Sequence, residues 1–295
     1  MHNTDSIHKT VERLTNNHKK IYPHIPIHER RIPSLACLTE IVEVVRAIVF
    51  PGYFGNSLVN ENSLVYNTGV CVQKLFHLLS SQIYDALYFE LKEINSKNAK
   101  NEANQLTHIF LDKLPDIKAL LSTDVKAIFN SDPAATSFGE VIFCYPAIKA
   151  ILNYRIAHEL YLLNIPVLPR IISELAHSET GIDIHPGAQI GKYFSIDHGT
   201  GVVIGQTTII GDHVTIYQGV TLGARNFVLN EEGHPQDVPR HPILEDHVTV
   251  YSNSSILGRI TIGKGTIVGG NVWLTHDVPP YSKIQQTKCS EDLNG

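Results

Sequence analysis

Val202–Leu222 reads VVIGQTTIIGDHVTIYQGVTL, and its aliphatic residues Ile204, Ile210, Ile216 and Leu222 recur every six positions. Four places after the first three stand Thr208, Val214 and Val220, each small or β-branched. A period of six cannot be laid on a helix of 3.6 residues per turn. It fits a solenoid in which three six-residue segments make one triangular coil of a parallel β-helix. The aliphatic residue points into the prism, and the smaller one sits where the chain turns a corner. Upstream, Ile184, Ile190 and Ile196 keep the same period; downstream, so do Leu244, Val250, Ile256, Ile262, Val268 and Leu274. Ala188, Thr200, Val248, Ser254, Thr266 and Val272 take the corner places.

The period breaks twice. Ile196 and Ile204 are eight apart, so two extra residues are expected to bulge around Gly199–Gly201. Between Leu222 and Leu244 the pattern lapses over Ala224 to Arg240, a polar stretch with Asn230, Glu231, Glu232, Gly233 and Pro235. A long loop extruded from a solenoid usually lies on its functional face.

Ahead of Gly181 the spacing is helical. Val72, Leu75, Phe76, Leu79, Ile83 and Leu87 form one stripe, and Leu106, Ile109, Phe110, Leu114, Ile117 and Leu121 a second. Ile148, Ile151, Leu152, Ile156, Leu160 and Leu163 form a third. Such stripes read as helix-packing surface. Pro51-Gly52, the polar run Asn95–Asn104 and Asp132-Pro133 punctuate them, and Pro166 is expected to open a last short helix through Glu174. The expected division is a helical domain over 1–178, the solenoid over 179–278 with loop 224–240 extruded, and a tail over 279–295.

Composition narrows the function classes. A net charge of -5 and a pI near 6.3 give no basic excess for a phosphate backbone, so nucleic acid is not expected as a partner. No apolar run is long enough to span a bilayer, and residues 1–10 lack the apolar core of a secretory signal, so no membrane association and a cytoplasmic location are expected. Cys37, Cys71, Cys144 and Cys289 are scattered without metal-ligand spacing and read as free thiols.

Among sixteen histidines most are background. His2, His8, His18, His24 and His28 lie in a polar stretch; His77, His108 and His158 fall on helices; His213, His247 and His276 should point outward from the repeats. His198 and His241 differ because each occupies a break in the period. Asp183 precedes His198 by fifteen residues, and a coil is about eighteen, which puts the two near one corner on adjacent rungs. A carboxylate on one ring nitrogen would make the other a base for an alcohol, although a purely structural Asp–His bond has the same spacing. Arg240, beside His241, is either a solvated loop end or a bidentate grip for a carboxylate.

At these residues the chain resembles the serine acetyltransferase family. The resemblance rests on Asp183-Ile184-His185-Pro186-Gly187-Ala188, Ile196-Asp197-His198-Gly199-Thr200-Gly201, Val220-Thr221-Leu222-Gly223 and Arg240-His241-Pro242. Asp132-Pro133-Ala134 and Tyr154-Arg155-Ile156-Ala157-His158 also match, and the likeness covers roughly residues 35 to 280. It implies an α+β chain, an all-helical N-terminal domain followed by a left-handed parallel β-helix of hexapeptide repeats. It also implies acetyl transfer from acetyl-CoA to L-serine, the first step toward cysteine, without a metal. By the same resemblance His198 is the general base and Asp183 orients it. Asp132 and Asp197 meet the amino acid's ammonium, Arg240 its carboxylate, and His241 binds or polarises the substrate. Acetyl-CoA lies near Gly223, Ala224, Ser252 and Gly270. A homotrimer, alone or paired into a dimer of trimers, is implied, with the site between neighbours and L-cysteine as feedback inhibitor.

Three departures stand out. Gln206 replaces a glutamate common in relatives, and the loop 224–240 is longer than in shorter relatives. The tail Gln285–Gly295 lacks the terminal isoleucine through which many relatives bind O-acetylserine sulfhydrylase, which puts that complex in question. The same scaffold could acetylate homoserine or a sugar hydroxyl, or serve assembly without catalysis. It also houses γ-type carbonic anhydrases, but His213, His241 and His247 lack that zinc-ligand spacing.

Overall fold

The computed structural model describes residues 2–16, 32–55, 59–90, 96–226 and 228–286. His18, His24, His28, Cys289 and the tail after Gln286 lie outside them. Two compact units result, Met1–Ile32 and Pro33–Gly295. In the first, helix α1 (His2–Asn16) carries exposed Ile7, Val11 and Leu14.

The second unit begins with helices α2 (Leu35–Val49), α3 (Glu61–Glu90), α4 (Ser96–Ser131), α5 (Phe138–Cys144), α6 (Pro146–Leu162) and α7 (Leu168–Thr180). The expected stripes supply their core: Leu75, Leu79, Ile83, Phe110, Leu114, Ile117, Leu121, Ile148, Ile151, Ile156 and Leu160 are all buried. Ser34 caps α2 by accepting the Cys37 N–H, and Ser137 caps α5 through Glu140. The last helix differs from expectation. Val167 takes φ +62°, which leaves Pro166 outside, so α7 opens at Leu168 with Pro169 in its first turn. It runs past Glu174 to Thr180 and stops where Gly181 adopts φ +70°, a left-handed cap that glycine enters without strain.

From Asp183 the chain winds as a parallel β-helix of about five coils. The first face stacks β1 (Asp183–Ile184), β4 (Val203–Ile204), β7 (Thr221–Gly223), β10 (Ser255–Leu257) and β13 (Trp273–Leu274). The second stacks β2 (Gln189–Ile190), β5 (Ile209–Ile210), β8 (Ile243–Leu244) and β11 (Thr261–Ile262). The third stacks β3 (Ser195–Asp197), β6 (Thr215–Tyr217), β9 (Thr249–Val250), β12 (Ile267–Val268) and β14 (Lys283–Ile284).

Register measures each coil. Ile204 pairs with Leu222, eighteen residues on, whereas Ile184 pairs with Ile204, twenty on. The two extra residues are the bulge, where His198, Gly199 and Gly201 all have positive φ. They also move one corner residue: Thr200 is exposed and Val202, fully buried, takes the place expected for it. Ile210 pairs with Leu244, thirty-four on, so sixteen residues leave the solenoid between β7 and β8.

Helices and solenoid share one core. Helix α7 packs on β1, and α4 and α6 pack on β3. Arg155 of α6 and Asp124 of α4 form a buried ion pair with Nε and Nη2 at 2.7 and 3.0 Å from the two carboxylate oxygens. Arg155 also donates to the Gly191 carbonyl (2.9 Å), while Asp124 accepts the Phe194 N–H (3.1 Å).

Candidate active site

The two breaks in the period place their residues on different edges of the prism. The bulge lies between the third and first faces, and the extruded loop between the first and second.

At the bulge edge, Asp132 stands where Pro133 ends α4. Its Oδ1 accepts the Ala134 N–H at 2.8 Å, an Asx turn, and its Oδ2 accepts the Tyr145 hydroxyl at 2.5 Å. A hydroxyl contact at 3.0 Å between Ser131 and Ser195 ties this helix end to β3. At the end of β3 comes Asp197, and His198 Nε2 lies 3.9 Å from its Oδ1. The Tyr145 and Ala134 hydrogen bonds, with His198 nearby, hold the Asp132 carboxyl below the usual carboxylate range. The same bond pushes the Tyr145 phenol up to about 12, helped by burial and by the charges of Asp132, Glu140 and Asp197. This corner is therefore acidic, with a fixed, ionised carboxylate beside an imidazole that is 74% exposed. Its chemistry suits a small cation.

At the loop edge, Arg240 Nη2 donates to Gln206 Oε1 at 2.6 Å and Nη1 contacts Asp237 Oδ1 at 3.3 Å. The amide oxygen of Gln206 thus accepts from the guanidinium, and the loop supplies a carboxylate. His241 is 7% exposed, and its pKa falls to about 4 through burial and the neighbouring charges of Arg240 and Arg259. A groove of about 820 Å³ opens beside them between α6 and the loop, bordered by Tyr161, Gln206, Thr207, Asp237, Pro239 and Arg259.

The sequence-derived residues accordingly divide. His198, Asp197 and Asp132 gather at the bulge edge with Ser252 and Gly270 further down it; Arg240 and His241 gather at the loop edge with Gly223 and Ala224. One face, of roughly five extended residues or about 15 Å, separates the edges. Asp183 meets the spacing argument only halfway. It sits on β1, one rung from Val203, but among the described residues it makes no hydrogen bond to His198. His198, turned outward at φ +56°, faces Asp197 instead. The Asp183 carboxylate groups with Glu174 and His177, one potential ligand atom of each lying within 4.8 Å of the others. Among the described residues this trio alone could hold a cation in that way.

Comparison with known proteins places the chain among relatives. A plasmid-encoded serine acetyltransferase of Synechococcus elongatus is 46% identical over 267 residues, covering 88% of this chain and 84% of the relative. The chain belongs to the serine acetyltransferase family. The serine acetyltransferase of Bacillus subtilis is 44% identical over 165 residues, 56% of this chain and 72% of its own length. No protein-family model matches the chain. Among solved structures, Entamoeba histolytica serine acetyltransferase 1 in complex with L-cysteine aligns with a TM-score of 0.72 at 32% identity. It covers 95% of this chain and all of that one. Soybean serine acetyltransferase complexed with serine gives 0.55 at 26% identity over 85% of this chain.

In this serine acetyltransferase, sequence reasoning passed over Tyr145 and Thr207. Tyr145 holds Asp132 from thirteen residues away, and only the tyrosine ahead of Pro146 hinted at it. Thr207 looks like one more repeat residue, yet its side chain touches the backbone of Arg240 and the ring of His241. No helix among the described residues is long and apolar enough to cross a membrane.

Proposed function

We propose that the chain acts as a homotrimer in which the bulge edge of one subunit faces the loop edge of the next, each pair of edges closing one active site for acetyl transfer from acetyl-CoA to L-serine. One observation carries this reading: the acidic corner and the Arg240–His241 pair flank a single face from opposite sides, so one chain presents both halves but joins neither. Threefold symmetry repeats that contact and closes it. The proposed acetyl-CoA residues divide the same way, Ser252 and Gly270 on one edge, Gly223 and Ala224 on the other.

Asp132 and Asp197 hold the ammonium of serine, and Arg240 with His241 of the neighbour holds its carboxylate. His198 takes the hydroxyl proton as the oxygen attacks the thioester carbon. The C–S bond then breaks, and the proton passes from the imidazolium to the CoA sulfur. Asp183, which makes no hydrogen bond to His198 among the described residues, orients the ring only if its carboxylate turns toward it. L-Cysteine presents the same ammonium and carboxylate and competes for the site. Acceptors lacking the ammonium, such as sugars, would leave Asp132 and Asp197 unpaired, which favours an amino acid.

Two experiments test this. His198→Ala and Arg240→Ala subunits, each inactive alone, are co-expressed; in random mixed trimers about one quarter of the sites would be intact. Activity near that fraction is expected, and none above either parent would remove the shared site. Asp132→Ala should raise the serine KM about 10-fold or more while the acetyl-CoA KM stays within ~2-fold, because only the amino acid loses a charged partner. Equal rises in both would discard the ammonium role.

A further inference from the structure

The loop edge contains a hydrogen-bond arrangement that fixes more than position. Thr207 Oγ1 accepts two backbone N–H groups, from Arg240 at 2.9 Å and His241 at 3.1 Å, and lies 2.9 Å from His241 Nδ1. The Thr207 N–H points at the same Nδ1 at 3.2 Å. A hydroxyl has one proton and two lone pairs. Both lone pairs are occupied, so the proton goes to the remaining neighbour, Nδ1. That nitrogen then receives two donors and carries no hydrogen. In a neutral imidazole the hydrogen must sit on Nε2.

The surroundings allow no other arrangement. A protonated ring would turn an Nδ1 hydrogen against the Thr207 N–H, and burial with two nearby guanidiniums opposes that charge, in line with a pKa near 4. The ring lies over Gly205, where a Cβ would run into it. Arg259 Nη1 donates to the carbonyls of both Thr207 (2.7 Å) and His241 (3.0 Å), locking the two backbones together. Nε2 has no hydrogen-bond partner among the described residues and is not among the polar atoms sealed from solvent. It is a free donor on a ring that feels the charge of Arg240.

We propose that Thr207 is a positioning residue: it fixes His241 as a neutral imidazole that offers Nε2–H, beside Arg240, to the carboxylate of the amino-acid substrate. The proposal rests on the reading that this edge binds the amino acid, and its test separates the two. With ¹⁵N-histidine labelling, and His241→Gln used to assign the signal, wild-type His241 should stay a neutral Nε2–H tautomer from pH 5.5 to 8. In Thr207→Val, Nδ1 loses the hydroxyl donor that favoured the neutral form, so the ring's titration should move up from about 4. The same variant should raise the serine KM, and the cysteine inhibition constant with it, roughly 10-fold at pH 7.5, with the acetyl-CoA KM unchanged. Thr207→Ser should restore both the spectrum and the KM.

A hydrogen on Nδ1 in the wild type overturns the proposal, and so does a valine variant with unchanged serine KM. A purely structural role would raise both KM values together, which also overturns it. Should the valine variant fail to fold, the wild-type spectrum decides alone. An Nε2–H tautomer in a protein that does not acetylate serine would instead sink the reading of the site and leave the tautomer standing.

Discussion

Replacing His198 with alanine is expected to lower kcat by about 100-fold or more, the usual contribution of a positioned general base, with both KM values within a few-fold of wild type. The argument is local. The ring is 74% exposed and fills no core space, so its loss leaves no cavity. Its backbone, however, sits at φ +56°, which alanine tolerates poorly. His198→Asn is therefore the cleaner variant: asparagine enters the left-handed region readily and cannot accept a proton in the reaction. Both variants should fall by a similar factor at unchanged oligomer size. Near-normal turnover in the asparagine variant would remove His198 from the chemistry. A deep loss in alanine alone would assign the effect to the bulge's backbone.

The corner around His198 also shows how far sequence could go. A six-residue period reports which side chains enter the prism, and insertions of two and sixteen residues into it report where the chain leaves. Both were legible because burial imposes them on residue type. Ile204, Ile210, Ile216 and Leu222 have 2% exposure or less. Thr200 was misplaced for the same reason, since the period was carried across the two inserted residues and Val202 takes the corner. Hydrogen bonds leave a weaker trace. Threonine at 207 satisfies the repeat like any small residue, and only the return of the loop to within 2.9 Å makes its hydroxyl a partner of His241. Asp183 is the converse. Fifteen residues brought it to the right edge of the right face, but spacing carries no information on a rotamer, and the carboxylate lies within 4.8 Å of Glu174 and His177 of α7 instead. Because α7 ends six residues later than Glu174, these groups were not expected near β1.

Arg155 matched a family motif without a reason, and the structure supplies one that carries the largest expected stability effect. Its guanidinium is 4% exposed and Asp124 fully buried, so both charges have left water. Desolvation pushes the Asp124 carboxyl up, and Arg155 with the Phe194 N–H pulls it back. Such a pair adds little net stability over apolar residues, yet removing one partner strands the other, at a cost of about 3–5 kcal/mol. Arg155→Met should lose that amount in denaturant unfolding, and Asp124→Leu a comparable amount. If stranded charge is the cause, the double variant should be less destabilised than the sum of the singles by at least ~1 kcal/mol. It should not return to wild type, because in the double variant both the Gly191 carbonyl and the Phe194 N–H have lost their partners. Those two groups sit where the first coil turns from the second face to the third, directly under α4 and α6. Loosening them would free β3, and with it Asp197 and the Ser195 contact to the end of α4 that places Asp132. Sub-denaturing urea should then raise the serine KM in Arg155→Met well before unfolding is detected. Fully additive energies, or a serine KM that holds until the cooperative transition, would show that the pair stabilises the fold without setting the site.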